Sequence, residues 1–151
     1  MCYVRPATPD DIDAIAVMGA RFFAYSRFGT LVHWDNETVK AALLQVHEAG
    51  VIFVALRDEA LAGFLAGALA PIWFAPATLA ATEFAWWVEP EHRQSAAGLK
   101  LLRAFEAWAR EQGAALTVFS DLVLDGETPA GDLFARLGYV VVERSHVKRI
   151  G

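Results

Sequence analysis

Glu83 is the only acidic residue between Glu59 and Glu89, and Phe84, Trp86 and Trp87 follow it within four positions. A carboxylate set among aromatic side chains loses hydration, which disfavours its ionised form and raises its pKa toward neutrality, where a general base works best. Directly after it, Val88-Glu89-Pro90-Glu91-His92-Arg93-Gln94-Ser95-Ala96-Ala97-Gly98-Leu99-Lys100-Leu101-Leu102 reads as a strand end, a loop of small residues and a helix start. The first N–H groups of a helix lack intrahelical partners and carry the positive end of its dipole, so together they can receive the oxygens of a pyrophosphate. Small side chains let such a ligand approach the backbone. The plainer alternatives are a carboxylate held for structure and a close-packed helix start that binds nothing.

Other elements must position this strand, loop and helix. Cys2 to Arg5 reads as a short strand, and Thr8-Pro9-Asp10-Asp11 then supplies an N-cap, a proline at the first helical position and acids in the first turn. Ile12, Ile15, Gly19, Phe22 and Phe23 recur at helical spacing to about Tyr25. Asp35 or Asn36 caps a second helix with a Val39, Leu43 and Val46 stripe, ended by Gly50. Ser26 to Trp34 is an aromatic-rich loop between the two. Val51–Leu56 and Leu61–Leu69 are strands around a tight Arg57-Asp58-Glu59-Ala60 turn, an apolar loop follows, and Glu83–Val88 continues the sheet. Leu101, Phe105 and Trp108 mark the buried side of the next helix, which Gln112-Gly113 ends. A strand Ala115–Ser120, a loop at Asp125-Gly126 with Pro129, a short helix Ala130–Leu137 and a last strand over Tyr139–Val142 and Ser145–Ile150 complete the chain. The expected fold is mixed α/β (α+β) in the order β-α-α-β-β-β-α-β-α-β, one domain over residues 1–151.

Composition narrows the chemistry. A chain of 151 residues, 56% hydrophobic and 21% charged, with ten Phe and five Trp, argues for a packed core rather than disorder. Its net charge of -5 argues against nucleic-acid binding, which relies on clustered Lys and Arg. The single Cys2 has no partner for a disulfide or a CxxC site, so a cytoplasmic setting is expected. Ala60 to Thr82 carries no charge, yet Gly63, Gly67, Pro71 and Pro76 interrupt it, so no membrane segment is expected; Arg5, Asp10, Asp11 and Asp13 argue against a signal peptide. His33, His47, His92 and His146 are scattered without HExxH or Cys partners, so no metal is expected. There is no GxSxG elbow, no GK[ST] opening a helix and no GxGxxG in the first βα unit, which removes the simplest hydrolase, P-loop and Rossmann readings.

At this point the chain resembles the GNAT superfamily of acetyl-CoA-dependent N-acetyltransferases over nearly its whole length. Val88-Glu89-Pro90-Glu91-His92-Arg93 looks like the family's V-x-P-x-x-R lead-in, and Arg93-Gln94-Ser95-Ala96-Ala97-Gly98 is similar to its [QR]-x-x-G-x-[GA] pyrophosphate loop. Leu133-Phe134-Ala135-Arg136-Leu137-Gly138-Tyr139 looks like its closing L-Y-x-x-x-G-[FY] segment. The resemblance implies acetyl-CoA as acetyl donor. It implies that Gln94, Ser95, Ala96, Ala97 and Gly98 act through backbone amides, that Arg93 adds charge near phosphate, and that Trp87 and Val88 offer main-chain groups to the pantetheine arm. It also supports Glu83 as the base, direct or through water, that takes a proton from an amine of pKa about 10.4.

Two departures stand out. Ala96 replaces the usual first glycine of the loop, which is harmless if its φ is negative and costly if positive. Phe134 replaces the usual tyrosine acid, which leaves water, Tyr139, Tyr25 or Tyr3 to complete the transfer. For the acceptor, a small-molecule or peptide amine, Tyr25, His33 and Trp34 are the candidate contacts, beside Phe23, Phe28 and Asp35, with core packing and helix capping as the alternative. Trp73 and Phe74 suit either pocket lining or a homodimer contact. The competing function is a non-catalytic acyl-CoA-binding or interaction protein on the same fold.

Overall fold

Strand β2 (Val51–Arg57) is buried over six consecutive residues. Because successive side chains of a strand point to opposite faces, this requires cover on both sides of the sheet. The computed structural model, which describes residues 1–124 and 128–151, supplies it. The expected Asp125-Gly126 turn lies outside the described residues. The sheet runs β1 (Cys2–Pro6), β2, β3 (Ala60–Ile72), β4 (Ala75–Val88) and β5 (Leu116–Val118), antiparallel throughout except for the parallel β4–β5 pair. Helices α1 (Ile12–Tyr25) and α2 (Asn36–Ala49) cover one face, burying Ile12, Ile15 and Met18 against Ile52, Val54, Phe64 and Trp87. Helix α3 (Ala97–Glu111) covers the other, burying Leu101, Phe105 and Ala109 against Phe53, Leu65 and Ala81. A short α4 (Gly131–Arg136) follows β5. The result is the expected mixed α/β, mostly antiparallel architecture.

Local signals account for most boundaries. The Asp11 carboxylate accepts from the Thr8 amide at 2.7 Å and from both terminal nitrogens of Arg5 at 2.7 and 3.0 Å. The Arg5 hydrogen bonds hold its pKa below the usual aspartate value, so the α1 entrance is tied to β1. Asp35 caps α2 by accepting from the Thr38 amide at 3.1 Å. Asp58 and Glu59, at φ 50° and 66°, both adopt the left-handed conformation that a two-residue hairpin turn demands.

Three stretches differ from the sequence expectation. The apolar loop before Thr82 is the outer half of a long β3–β4 ribbon; its ladder skips Pro76 to Thr78, so Pro76 sits where no strand bond is needed, and Pro71, paired with Leu79, lies at a register shift. Trp73 and Phe74 form the turn at its tip, 87% and 72% exposed and packed edge to face at 5.3 Å. The expected last strand is absent: residues 139–151 hold no regular structure, and Val140, Val141 and Val142 stand about 80% exposed. The β5 strand is shorter than expected, three residues rather than six. Among the described residues no helix is long and apolar enough to cross a membrane.

The feature that positions the site is a bulge in β4. Ala66 pairs with Ala85 and Gly67 with Glu83, so Phe84 is an extra residue. The extra residue inverts side-chain parity along the strand. Ala81 packs toward α3 and Ala85 and Trp87 toward α1, while Trp86 and Val88 return to the α3 side. Gly67 faces Glu83 across this irregularity, where an added Cβ would lie 2.5 Å from the Thr82 carbonyl oxygen and 2.6 Å from the Phe105 ring. Gly67→Ala is therefore expected to destabilise the fold by about 1–3 kcal/mol through overpacking, measured as a lowered urea midpoint.

Candidate active site

Strands β4 and β5 pair only over Ala80–Thr82 and Leu116–Val118. Beyond Thr82 they part, and the outer edge of β4 from Glu83 to Val88 has no strand partner among the described residues. A backbone edge left open inside a protein is a place where an extended ligand can bond.

Glu83 stands at the point of parting. It is 9% exposed, and one oxygen of its carboxylate accepts the Ser120 amide at 3.1 Å. Burial pushes its pKa up to about 7, the Ser120 amide opposes that rise, and the neighbouring Asp121 carboxylate adds to it. Half of the Glu83 population is then ionised near neutral pH, the condition that suits a base.

The loop after β4 is built from tight local bonds. The Ser95 hydroxyl donates to the His92 carbonyl at 2.6 Å and accepts the Ala97 amide at 3.2 Å. The amides of Gln94, Ala96 and Gly98 have no acceptor among the described residues, which leaves donors at the positive end of a fifteen-residue helix. Ala96 has φ -77°, so its methyl costs the backbone nothing, and the departure from glycine is tolerated. Beneath this turn lies an orphan. Trp86 Nε1 is buried without a hydrogen-bond partner among the described residues, and a Cβ on Gly98 would come 3.9 Å from it. Buried donors are almost always paired, so an unpaired one beside free helix amides suits a ligand rich in acceptor oxygens.

The remaining expected residues divide into two groups. Trp87 turns its indole into the core, 5% exposed, with Nε1 donating to Glu89 at 3.3 Å; the buried Glu89 carboxylate also pairs with Arg21 of α1. Val88 pairs with Gly63. The Arg93 guanidinium donates to the Val88 carbonyl at 3.0 Å and lies over the rings of Trp87 at 4.6 Å and Tyr25 at 5.1 Å. In this conformation it braces the end of β4 against α1. Trp34 packs on Phe23 with ring centroids 5.4 Å apart, His33 is exposed, and Asp35 is committed to its cap. Tyr25 packs on Trp87 instead, with ring centroids 5.6 Å apart.

Phe134 is buried against Trp86, Phe119 and Tyr139, with centroids 5.3–5.5 Å apart. Tyr139 donates to Glu106 at 2.9 Å and shares a hydrogen bond with Thr117 at 2.8 Å; burial pushes its pKa up to about 12. Its proton is held. Tyr3 lies on β1, its hydroxyl directed at Glu59 of the β2–β3 turn. Of the three tyrosines only Tyr25 lies beside the β4 end.

Residues 20–139 match the sequence model of the acetyltransferase (GNAT) family. The chain belongs to the GNAT acetyltransferase family. No curated protein matches it. Among solved structures, the aminoglycoside N-acetyltransferase AAC(6')-Iy, in complex with a CoA-linked bisubstrate analogue, superposes with TM-score 0.79 at 15% identity, covering 100% of this chain and 99% of that one. The ribosomal-protein-alanine N-acetyltransferase of Brucella melitensis biovar Abortus 2308 gives 0.76 at 19%, with 99% of each chain covered. A Trypanosoma brucei acetyltransferase gives 0.77 at 12%, with 99% and 100% covered. At these identities the likeness shows the fold.

In this GNAT-type N-acetyltransferase no sequence signal marks Ser120 and Asp121 beside Glu83, or the unpartnered Trp86 nitrogen. The first two follow a three-residue strand whose register no sequence pattern reveals. Trp86 reads simply as an aromatic neighbour until its face is known. A measurable consequence concerns Glu83. Its pKa is raised on folding from 4.5 to about 7, so the native state binds the extra proton and stability falls as pH rises between those values. Glu83→Gln is expected to remove this slope and to be more stable than the parent above pH 7 by on the order of 3 kcal/mol, read from urea unfolding at pH 5 and pH 8.

Proposed function

We propose that the protein transfers an acetyl group from acetyl-CoA directly to a primary amine, with Glu83 as general base. The observation that carries this reading is the buried carboxylate at the parting of β4 and β5, with a pKa of about 7. The free amides of Gln94, Ala96 and Gly98 and the Trp86 N–H would hold the donor's oxygens, and the open edge of β4 would take its extended arm. Acetyl-CoA supplies an activated acyl carbonyl and a thiol leaving group.

The chain's own part is to prepare the nucleophile. An amine reaching the parting arrives mostly as ammonium, since its pKa is about 10.4. Glu83 accepts its proton, and the Ser120 amide keeps the second carboxylate oxygen fixed while the first turns to the amine. The non-catalytic alternative rested on Ala96 and Phe134, and the negative φ of Ala96 removes the first ground.

Turnover measured as thiol release is expected to rise with pH through about 7 as Glu83 ionises. Glu83→Gln should lose that limb and roughly 10²- to 10⁴-fold in kcat/KM, with acetyl-CoA affinity kept. Binding without turnover on any amine would instead support the acyl-CoA-binding module. Trp86→Phe should weaken acetyl-CoA binding by roughly 3- to 10-fold in calorimetry, the worth of one hydrogen bond.

A further inference from the structure

The register of β3 on β4 decides which main-chain groups face outward where β4 ends. Val88 pairs with Gly63, and the bond beside that pair runs from the Glu89 amide to the Ala62 carbonyl at 2.8 Å. In an antiparallel ladder this makes Val88 and Gly63 a non-hydrogen-bonded pair, so the Val88 amide and carbonyl point away from β3 and into the open edge. The carbonyl is already taken. Arg93 Nε donates to it at 3.0 Å, where an extended ligand on that edge would place its own N–H donor at about 2.9 Å.

Arg93 rests on a seat built without it. Trp87 Nε1 donates to the buried Glu89 carboxylate, which Arg21 also engages, and these bonds fix the indole beneath the guanidinium. The guanidinium lies 4.6 Å from the Trp87 ring and 5.1 Å from that of Tyr25, contacts that favour a cation. Its charge is uncompensated: among the described residues no carboxylate lies within ion-pair distance of it. Arg93 also adjoins Gln94, the first of the three free amides at the start of α3. One cationic side chain therefore stands between the outward acceptor of the edge and those amides.

We propose that Arg93 is a latch that makes the donor site select acyl thioesters bearing a diphosphate over those that lack one. The proposal rests on the donor placement proposed above. A diphosphate at the free amides draws the guanidinium off Val88. The exchange is favourable because guanidinium meets phosphate through two parallel bonds between opposite charges, whereas the neutral Val88 carbonyl accepts one. The carbonyl then accepts from the donor's extended arm. A thioester without phosphate must displace Arg93 and offers it nothing in return.

The test uses acetyl-CoA and pantetheine, which carries the arm without a diphosphate, on the full chain. Arg93→Met keeps the length of the side chain and removes its charge and its donors. In calorimetry this variant is expected to bind pantetheine about 3- to 10-fold more tightly than the parent, the worth of the one hydrogen bond no longer displaced, and acetyl-CoA about 3- to 10-fold more weakly. A damaged loop would weaken both ligands, so the opposite signs separate a latch from a structural role. In the parent, ADP, a diphosphate without the arm, is expected to shift the nitrogen NMR resonance of the Arg93 Nε–H group, assigned by its loss in Arg93→Lys. Should Arg93→Met fail to fold, that titration decides. Pantetheine bound by Arg93→Met no more tightly than by the parent while acetyl-CoA still binds, or an Arg93 resonance that bound ADP leaves in place, would overturn the latch. A parent that binds neither acetyl-CoA nor ADP would overturn the donor placement itself, and the latch with it.

Discussion

Strand β4 has two edges and cannot satisfy both along its whole length. Its inner edge pairs with β3 nearly from end to end, whereas its outer edge meets β5 over only three residues before the strands part. The candidate site is built on that mismatch. The parting exposes main-chain groups that would otherwise be consumed by a ladder, and it lets the Ser120 amide reach a side chain instead of a strand. One extra residue, Phe84, then reverses which face each later side chain addresses. Glu83 and Trp86 fall on the α3 side, where the free amides are, while Phe84, Ala85 and Trp87 belong to the α1–α2 side.

This arrangement keeps a carboxylate where water is scarce, and it does so against stability. Desolvation of Glu83 outweighs the single amide bond it receives, which is why its pKa rises instead of falling. The surrounding structure must hold the site open in spite of that cost. The aromatic cluster of Trp86, Phe105, Phe119, Phe134 and Tyr139 packs the α3 side edge to face. On the other side Trp87, Arg93, Tyr25 and the Arg21–Glu89 pair tie the end of β4 to α1. Both braces anchor β4 within a few residues of Glu83, so the candidate base is held from both faces of the sheet. Rigid support is what a proton-transfer group needs, since small displacements cost rate.

Features whose physics is local were legible in the sequence. Helix starts could be read from Thr8-Pro9-Asp10-Asp11 and from Asp35, the hairpin from Arg57 to Ala60, and the tight turn into α3 from the small residues after Arg93. Even the desolvation of Glu83 followed from its neighbours alone. What stayed hidden depends on register. Nothing in Glu83-Phe84-Ala85-Trp86 marks which residue is extra, because any of them satisfies a strand. The stretch after Leu69 reads as an apolar loop in sequence, yet the ladder continues through Pro71 and skips only Pro76 to Thr78. The valines at 140–142 have strand propensity, but propensity without a partner edge builds no ladder. Trp34 was a candidate acceptor contact, and the apolar lining it shares with Phe22 and Phe64 is visible only in the fold.

Phe134 shows how the proposed chemistry is distributed. A phenyl ring has no proton to give, and two of the three tyrosines are poorly placed to replace it: Tyr139 is bound to Glu106 with its pKa near 12, and Tyr3 lies on β1 facing Glu59. Yet the two sides of an acetyl transfer to an amine are unequal. An amine of pKa about 10.4 must lose a proton at neutral pH before it can attack, while a thiol of pKa about 8.5 is already a fair leaving group. Assistance is therefore worth more on the acceptor side, and that is where this chain invests its buried carboxylate. Phe134 in turn completes the packing around Trp86, whose N–H is left facing no protein partner. Phe134 thus offers no proton but helps to fix a buried hydrogen-bond donor beside the free amides at the start of α3, where the proposed chemistry would put the acyl donor.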